Sequence, residues 1–253
     1  MGSDSALAYR VEAACLNGWP ALQEIMLDGW LLRFAEGHTR RANSVNPQRH
    51  GSRDLHEKIV DCETAYRAHG LPTIFRVSGL AERGLDEVLR TLGYGPPEDE
   101  TCVIYRPLDA GEISGGDANI CENAPSDEWL EAHARCIGSG ETAQRAQRKI
   151  LQALSVPAVF AGIRTADGNL ASLAFGAVHD ELACVNLVVT DPALRRRGLS
   201  RRAVTAVLAW ARDRAGAKGA CLPVVVTNFP ARALYQQLGF DTELYRYHYL
   251  GHR

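Results

Sequence analysis

The sequence predicts an α/β (α+β) protein of two domains, each a mixed, mostly antiparallel sheet flanked by helices. Helix-period and strand-like segments alternate along the chain on both sides of one aperiodic stretch. That stretch, Pro107-Leu-Asp-Ala-Gly-Glu-Ile-Ser-Gly-Gly-Asp117, carries three glycines and reads as a linker between a domain at 1–106 and a domain at 118–253. The two halves also end alike, since Leu92-Gly93-Tyr94 can be laid over Leu238-Gly239-Phe240 and each is followed by a polar gap and an aromatic-ended strand. A tandem duplication explains that likeness. A length of 253 residues suits two small domains.

In the first half a helix precedes Trp19-Pro20, and residues 29–35 read as a strand that turns at Glu36-Gly37-His38 into a partner near 41–45. Leu55, Ile59, Cys62 and Tyr66 form one apolar stripe, which predicts a helix over 53–69. A strand (73–77), a short helix (85–92) and a last strand (101–105) follow. In the second half Ser126 is placed to cap a helix before Asp127 and Glu128, and a second helix covers 141–154. Strands at 158–164 and 170–178 flank the turn signal Asp167-Gly168, and 182–189 extends them into an antiparallel meander. A helix (199–215, with Val204, Val207, Leu208 and Ala211 on one face), a strand (224–226), a helix (230–238) and a strand (245–250) complete the order.

Apolar residues make up 46% and charged residues 23%, the balance of a globular chain with a core. A net charge of −2 excludes a global attraction to nucleic acid or anionic membrane, so any basic site is local. No apolar run approaches the roughly 20 residues that span a bilayer, no signal-like start precedes the first helix, and the chain reads as cytoplasmic. The seven cysteines are spread singly without a C-x-x-C pair and read as small core residues, so no metal site is expected.

The stretch richest in chemistry is Val188-Val-Thr-Asp-Pro-Ala-Leu-Arg-Arg-Arg-Gly-Leu-Ser200, a strand whose closing turn opens directly into an amphipathic helix. Helix N-termini carry unpaired N–H groups and roughly half a positive charge. Gly198 lets backbone approach a ligand, Ser200 is small, and Arg195, Arg196 and Arg197 add charge, so a pyrophosphate fits there. A solvated basic turn is the plainer account of the same residues.

Arg195-x-x-Gly198-x-Ser200 resembles the R-x-x-G-x-[GA] pyrophosphate loop of the GNAT superfamily of N-acetyltransferases, departing from it by the serine. About thirty residues on, Asn228-x-x-Ala231-x-x-Leu234-Tyr235-x-x-Leu238-Gly239-Phe240 resembles the family's second signature. Residues 118–250 carry this likeness. A less specific one, through Trp19-Pro20, Trp30-Leu-Leu-Arg-Phe34 and Arg41-Ala-Asn-Ser-Val-Asn-Pro47, is to the front half of two-domain bacterial GNAT proteins.

The resemblance implies acetyl-CoA, or another short acyl-CoA, as co-substrate, an amine of a small molecule or peptide as acceptor, and no metal. It places pantetheine and the thioester oxyanion against the backbone of Leu187, Val188 and Val189, pyrophosphate against Arg195, Arg196, Arg197, Gly198, Leu199 and Ser200, and further cofactor contacts at Asn228 and Ala231. Tyr235 matches the general acid that protonates the departing thiolate, with core filling as its plainer role. Residues 182–189 offer only Cys184 and Asn186 as polar side chains, and His179, Asp180 and Glu181 lie at a hairpin mouth, so no general base is assigned. The first half has no Arg-x-x-Gly and carries Leu89 where the tyrosine would be. It is expected to be non-catalytic, with residues 41–46 either walling the substrate site or serving structure. The cluster of Arg195, Arg196, Arg197, Arg201 and Arg202 keeps charged tRNA open as an alternative acyl donor, and a non-catalytic acyl-CoA sensor is a further alternative.

Overall fold

The computed structural model describes residues 3–81, 84–108, 113 and 118–252. In chain order its elements are α1 (Ser3–Asn17), β1 (Gln23–Leu27), β2 (Trp30–Phe34), β3 (Val45–Pro47), α2 (Leu55–Ala68), β4 (Ile74–Ser78), α3 (Leu85–Thr91) and β5 (Glu98–Pro107). These are followed by β6 (Asn119–Glu122), α4 (Asp127–Ile137), α5 (Glu141–Gln152), β7 (Ala158–Arg164), β8 (Leu170–His179) and β9 (Leu182–Thr190). The last four are α6 (Leu199–Asp213), β10 (Gly219–Val225), α7 (Phe229–Gln237) and β11 (Thr242–Gly251). Single 3₁₀ turns occupy Arg40–Ala42 and Pro192–Leu194.

Two strands were not legible. β1 and β6 are exposed along most of their length, so neither shows the in–out alternation that marks a half-buried strand. β10 begins five residues earlier than its valines indicate, because Gly219, Ala220 and Cys221 are buried in a parallel pairing with β9 where side-chain bulk is not required. Of the expected linker, residues 109–112 and 114–117 lie outside the described residues, while Leu108 and Ile113 are buried.

The chain forms two compact units, each discontinuous in sequence. One comprises Met1–Pro20, Ile104–Pro223 and Phe229–Leu244, and the other Ala21–Val103, Val224–Asn228 and Tyr245–Arg253. In the first, strands run in the order β10-β9-β8-β7-β6, antiparallel except for β9 with β10. Its two faces are assigned by close approach. A Cβ on Gly176 would come within 2.3 Å of Val207 Cγ1, so this position faces α6 and helix and strand meet there without an intervening side chain. The next residue, Ala177, faces the other way, toward Gly18 at the end of α1. Helix α4 anchors that second face through Trp129, whose Nε1–H donates to Ala161 O at 3.0 Å and whose ring meets Phe160 edge-on. Ser126 caps α4 as its sequence predicts, accepting from Trp129 N–H. Cys15, Cys184 and Cys221, far apart in sequence, meet in this core with their sulphurs within 4.8 Å of one another.

In the second unit β1-β2-β3-β4-β11-β5 are neighbours in that order. One face is the apolar core of Trp30, Leu32, Val45, Tyr66, Phe75 and Leu250, over which the stripe of α2 closes. The likeness between the two halves extends to backbone hydrogen bonds. At the end of α3, Gly93 N donates to Arg90 O and Tyr94 N to Leu89 O; at the end of α7, Gly239 N donates to Gln236 O and Phe240 N to Tyr235 O. Leu89 and Tyr235 thus occupy equivalent places, and only the second carries a hydroxyl.

Candidate active site

The parallel ladder between β9 and β10 is short. It pairs Leu182, Ala183 and Cys184 with Gly219, Ala220 and Cys221, and among the described residues no further rung follows, although β9 runs on to Thr190. Just past that point β9 also breaks register with β8. Leu173 faces Val189 while Phe175 faces Asn186, leaving Leu187 and Val188 opposite one residue. This is a β-bulge, and Leu187 takes the positive φ of 50° that such an insertion demands. A bulge turns backbone groups out of the ladder, and Leu187, Val188 and Val189 are the half-exposed segment of an otherwise buried strand.

From Thr190 the chain passes through Asp191, whose carboxylate accepts from Ala193 N–H at 2.9 Å, into the turn that carries Arg195, Arg196 and Arg197. Gly198 stands at the N-cap of α6 with φ 74°, a conformation glycine adopts without strain, and a Cβ there would meet no atom within 4 Å. It offers no capping side chain, so the first turn of α6 presents its N–H groups and its dipole outward. The three arginines are exposed, and among the described residues neither they nor Arg201 form an ion pair. Leu199 and Ser200 are half-buried.

The serine that departs from the GNAT pattern has a structural role here. Thr190 Oγ1 lies 2.5 Å from Ser200 Oγ and 2.7 Å from Ser172 Oγ, and Ser172 Oγ donates to Val189 O at 3.0 Å. This hydroxyl chain ties the bulged end of β9 to the first turn of α6. Ser172 and Thr190 escape sequence reading because only the register of β8 on β9 brings them beside Ser200.

Tyr235 and Ala231 lie one turn apart on α7. The Tyr235 ring packs edge-on against Phe240 at 6.0 Å, and burial raises its phenol to about 12. Burial is the sole cause of that rise, with no hydrogen bond or neighbouring charge among the described residues acting on it. Asn228 is exposed in the turn after β10, its N–H donating to Val225 O at 2.9 Å, and it falls in the second compact unit rather than with Tyr235. The acids at the β8–β9 hairpin are already engaged. Asp180 holds Arg10 at 2.6 Å, which keeps its carboxyl below the ordinary range, and Glu181 holds Lys218 at 2.6 Å. Cys184 and Asn186 are buried in the core.

Comparison with known proteins bears on this geometry. Residues 8–250 match the family described as "Probable histone acetyltransferase Rv0428c C-terminal". The chain is 25% identical over 239 residues to the uncharacterized N-acetyltransferase YobR of Bacillus subtilis, covering 92% of this chain and 94% of that protein. Among solved structures, a GCN5-related N-acetyltransferase from Kribbella flavida superposes with a TM-score of 0.69 at 18% identity, over 100% of this chain and 96% of that one. A tandem GNAT protein from the clavulanic acid biosynthesis pathway superposes with a TM-score of 0.65 at 15% identity, over 88% and 77% respectively. The chain therefore belongs to the Rv0428c-type acetyltransferase family and is a GNAT N-acetyltransferase.

Proposed function

We propose that the protein transfers an acetyl or short acyl group from acyl-CoA to an amine of a small molecule or peptide. The observation that carries this reading is the continuity of one element: a bulged, laterally open strand runs straight into an arginine-ringed helix N-terminus that no side chain caps. The residues fit a pyrophosphate, because Gly198 leaves room for backbone contact and Arg195, Arg196 and Arg197 supply exposed positive charge. The backbone of Leu187, Val188 and Val189 pairs with an extended pantetheine arm as an added strand would, and an N–H of Val188 or Val189 steadies the oxyanion. Leu199, Ser200, Asn228 and Ala231 complete the cofactor contacts. As the acceptor nitrogen bonds to the acyl carbon and the C–S bond breaks, Tyr235 donates its proton to the sulphur, and the proton released by the amine returns to solvent.

The engagement of the hairpin acids favours one acceptor class. With Asp180 and Glu181 tied to Arg10 and Lys218, none of the described side chains of this hairpin is assigned to deprotonate an ammonium. An α-amine with a pKa near 8 is about 10% neutral at pH 7, whereas a lysine amine near 10.4 is less than about 0.1% neutral. The first needs no base. The family description names histone, which motivates a second reading with a protein lysine as acceptor. An acceptor screen with acetyl-CoA that reports free thiol decides between them: small primary amines and peptide α-amines are turned over under the first reading, and only lysine-containing proteins under the second. Steeply salt-dependent binding of charged tRNA, with no thiol released from acetyl-CoA by any amine, overturns both.

A further inference from the structure

The hydroxyl groups of Ser172, Thr190 and Ser200 join β8, the bulged end of β9 and the first turn of α6, and their protons run in one direction only. Ser172 stands directly opposite Thr190 in the register of β8 on β9. It lies four residues before Gly176 on β8 and so shares the face turned to α6. Thr190 ends β9, and Ser200 is the second residue of α6. Ser172 is buried, Thr190 is 8% exposed and Ser200 is half-buried, so water competes little for these bonds.

Each hydroxyl has one proton to give. The Val189 carbonyl can only accept, so the 3.0 Å contact takes the proton of Ser172. Ser172 must then accept at its 2.7 Å contact with Thr190, and Thr190 must accept from Ser200 at 2.5 Å. Only the order Ser200 to Thr190 to Ser172 to Val189 O satisfies all three contacts. A serine at the start of an anion-binding helix reads at first as one more donor to phosphate. Here its hydroxyl proton points inward, and what Ser200 can offer a phosphate is its backbone N–H.

The backbone at both ends of the link is held as well. Asp191 N–H donates to Ala171 O at 2.8 Å, which carries the pairing with β8 one step beyond Thr190, and Arg202 N–H donates to Gly198 O at 3.2 Å within the first turn of α6. Between these ends runs the turn of residues 191–198 with its exposed arginines. The hydroxyl link crosses that turn and joins strand to helix directly.

We infer that Thr190 and Ser200 are positioning residues for acyl transfer. Through Ser172 they hold the Val189 carbonyl, and with it the strand that receives the thioester, at one distance from the phosphate-binding turn of α6. This rests on the acyl-CoA reading of the site, in which one molecule lies along both elements at once. A cofactor anchored by its phosphates at the helix presents its acyl carbon correctly only if the strand beneath the other end does not drift.

The test is Thr190→Val, which puts a methyl group in place of the hydroxyl, with Thr190→Ser as the conservative variant that keeps the hydroxyl. Steady-state kinetics use acetyl-CoA and an amine found by the acceptor screen. Thr190→Val is expected to lower kcat by roughly 10- to 100-fold with KM for acetyl-CoA little changed, and Thr190→Ser to stay within about threefold of the parent. A purely structural role lowers the melting temperature and leaves kcat intact. Unchanged kcat in folded Thr190→Val therefore overturns the inference, as does a Thr190→Ser variant as impaired as Thr190→Val. Should Thr190→Val fail to fold, Ser200→Ala decides by the same kinetics, since it cuts the outer link and leaves Ser172 bonded to Val189 O: a lowered kcat supports the inference and an unchanged one overturns it. A parent protein that releases no thiol from acetyl-CoA with any amine overturns the acyl-CoA reading and this inference together, whereas an active parent with an equally active Thr190→Val overturns this inference alone.

Discussion

Burial raises the Tyr235 phenol to about 12, so across the neutral range it is fully protonated, the state a proton donor requires. Two outcomes follow at this residue. Tyr235→Phe keeps the ring against Phe240 and is expected to lower kcat by roughly 10²- to 10⁴-fold with little change in KM for acyl-CoA. Steady-state kinetics measure this, with melting and CoA binding as controls; turnover within about threefold of the parent removes Tyr235 as the acid. The raised value also predicts no loss of activity from Tyr235 ionisation as pH rises to about 10, which a pH–rate profile checks. At the opposite end of the site, Arg195→Ala is expected to weaken CoA binding by about 1–3 kcal/mol, the scale of a charged hydrogen bond, as read by calorimetry.

Elements carry the next predictions. α6 approaches β8 so closely at Gly176 that an added methyl must displace Val207. Gly176→Ala is expected to destabilise the protein by about 1–3 kcal/mol through overpacking, and Val207→Ala in the same chain to recover part of that loss. Denaturant unfolding of the four proteins of the cycle gives the coupling. In the second unit, the turn between β1 and β2 is clamped by Asp28, whose carboxylate accepts from Ser52 and Arg53 N–H groups at 3.0 Å each. Those bonds, the Ser52 bond foremost, lower its pKa from an ordinary 3.8 to about 2. The folded state therefore binds this proton more weakly than the unfolded state. The clamp's contribution is present in full above about pH 4 and is lost as pH falls toward 2. Melting temperature followed from pH 5 to 2 is expected to drop more in the parent than in Asp28→Asn.

For the whole molecule, a ligand that binds only the folded chain stabilises it by RT ln(1 + [L]/Kd), about 2.7 kcal/mol at a hundred times Kd. Acetyl-CoA is expected to raise the melting temperature in a concentration-dependent way and charged tRNA is not. How much of this protein a reader recovers from its residues depends on how local each feature is. The arginine-rich turn at Arg195, Arg196, Arg197 and Gly198, the cap at Ser126, the stripe of α2 and the glycine-ended helices α3 and α7 are each written within a dozen residues. Neighbouring side chains and backbone conformation suffice to build them, so these features, and with them the family, were determined by sequence alone. The bulge at Leu187, the early parting of β10 from β9, the hydroxyl chain from Ser172 to Ser200, the meeting of Cys15, Cys184 and Cys221, and the placement of α1 with strands more than a hundred residues away were decided only by the tertiary structure. Each depends on strand register or on packing between distant segments, and neither is a function of spacing along the chain.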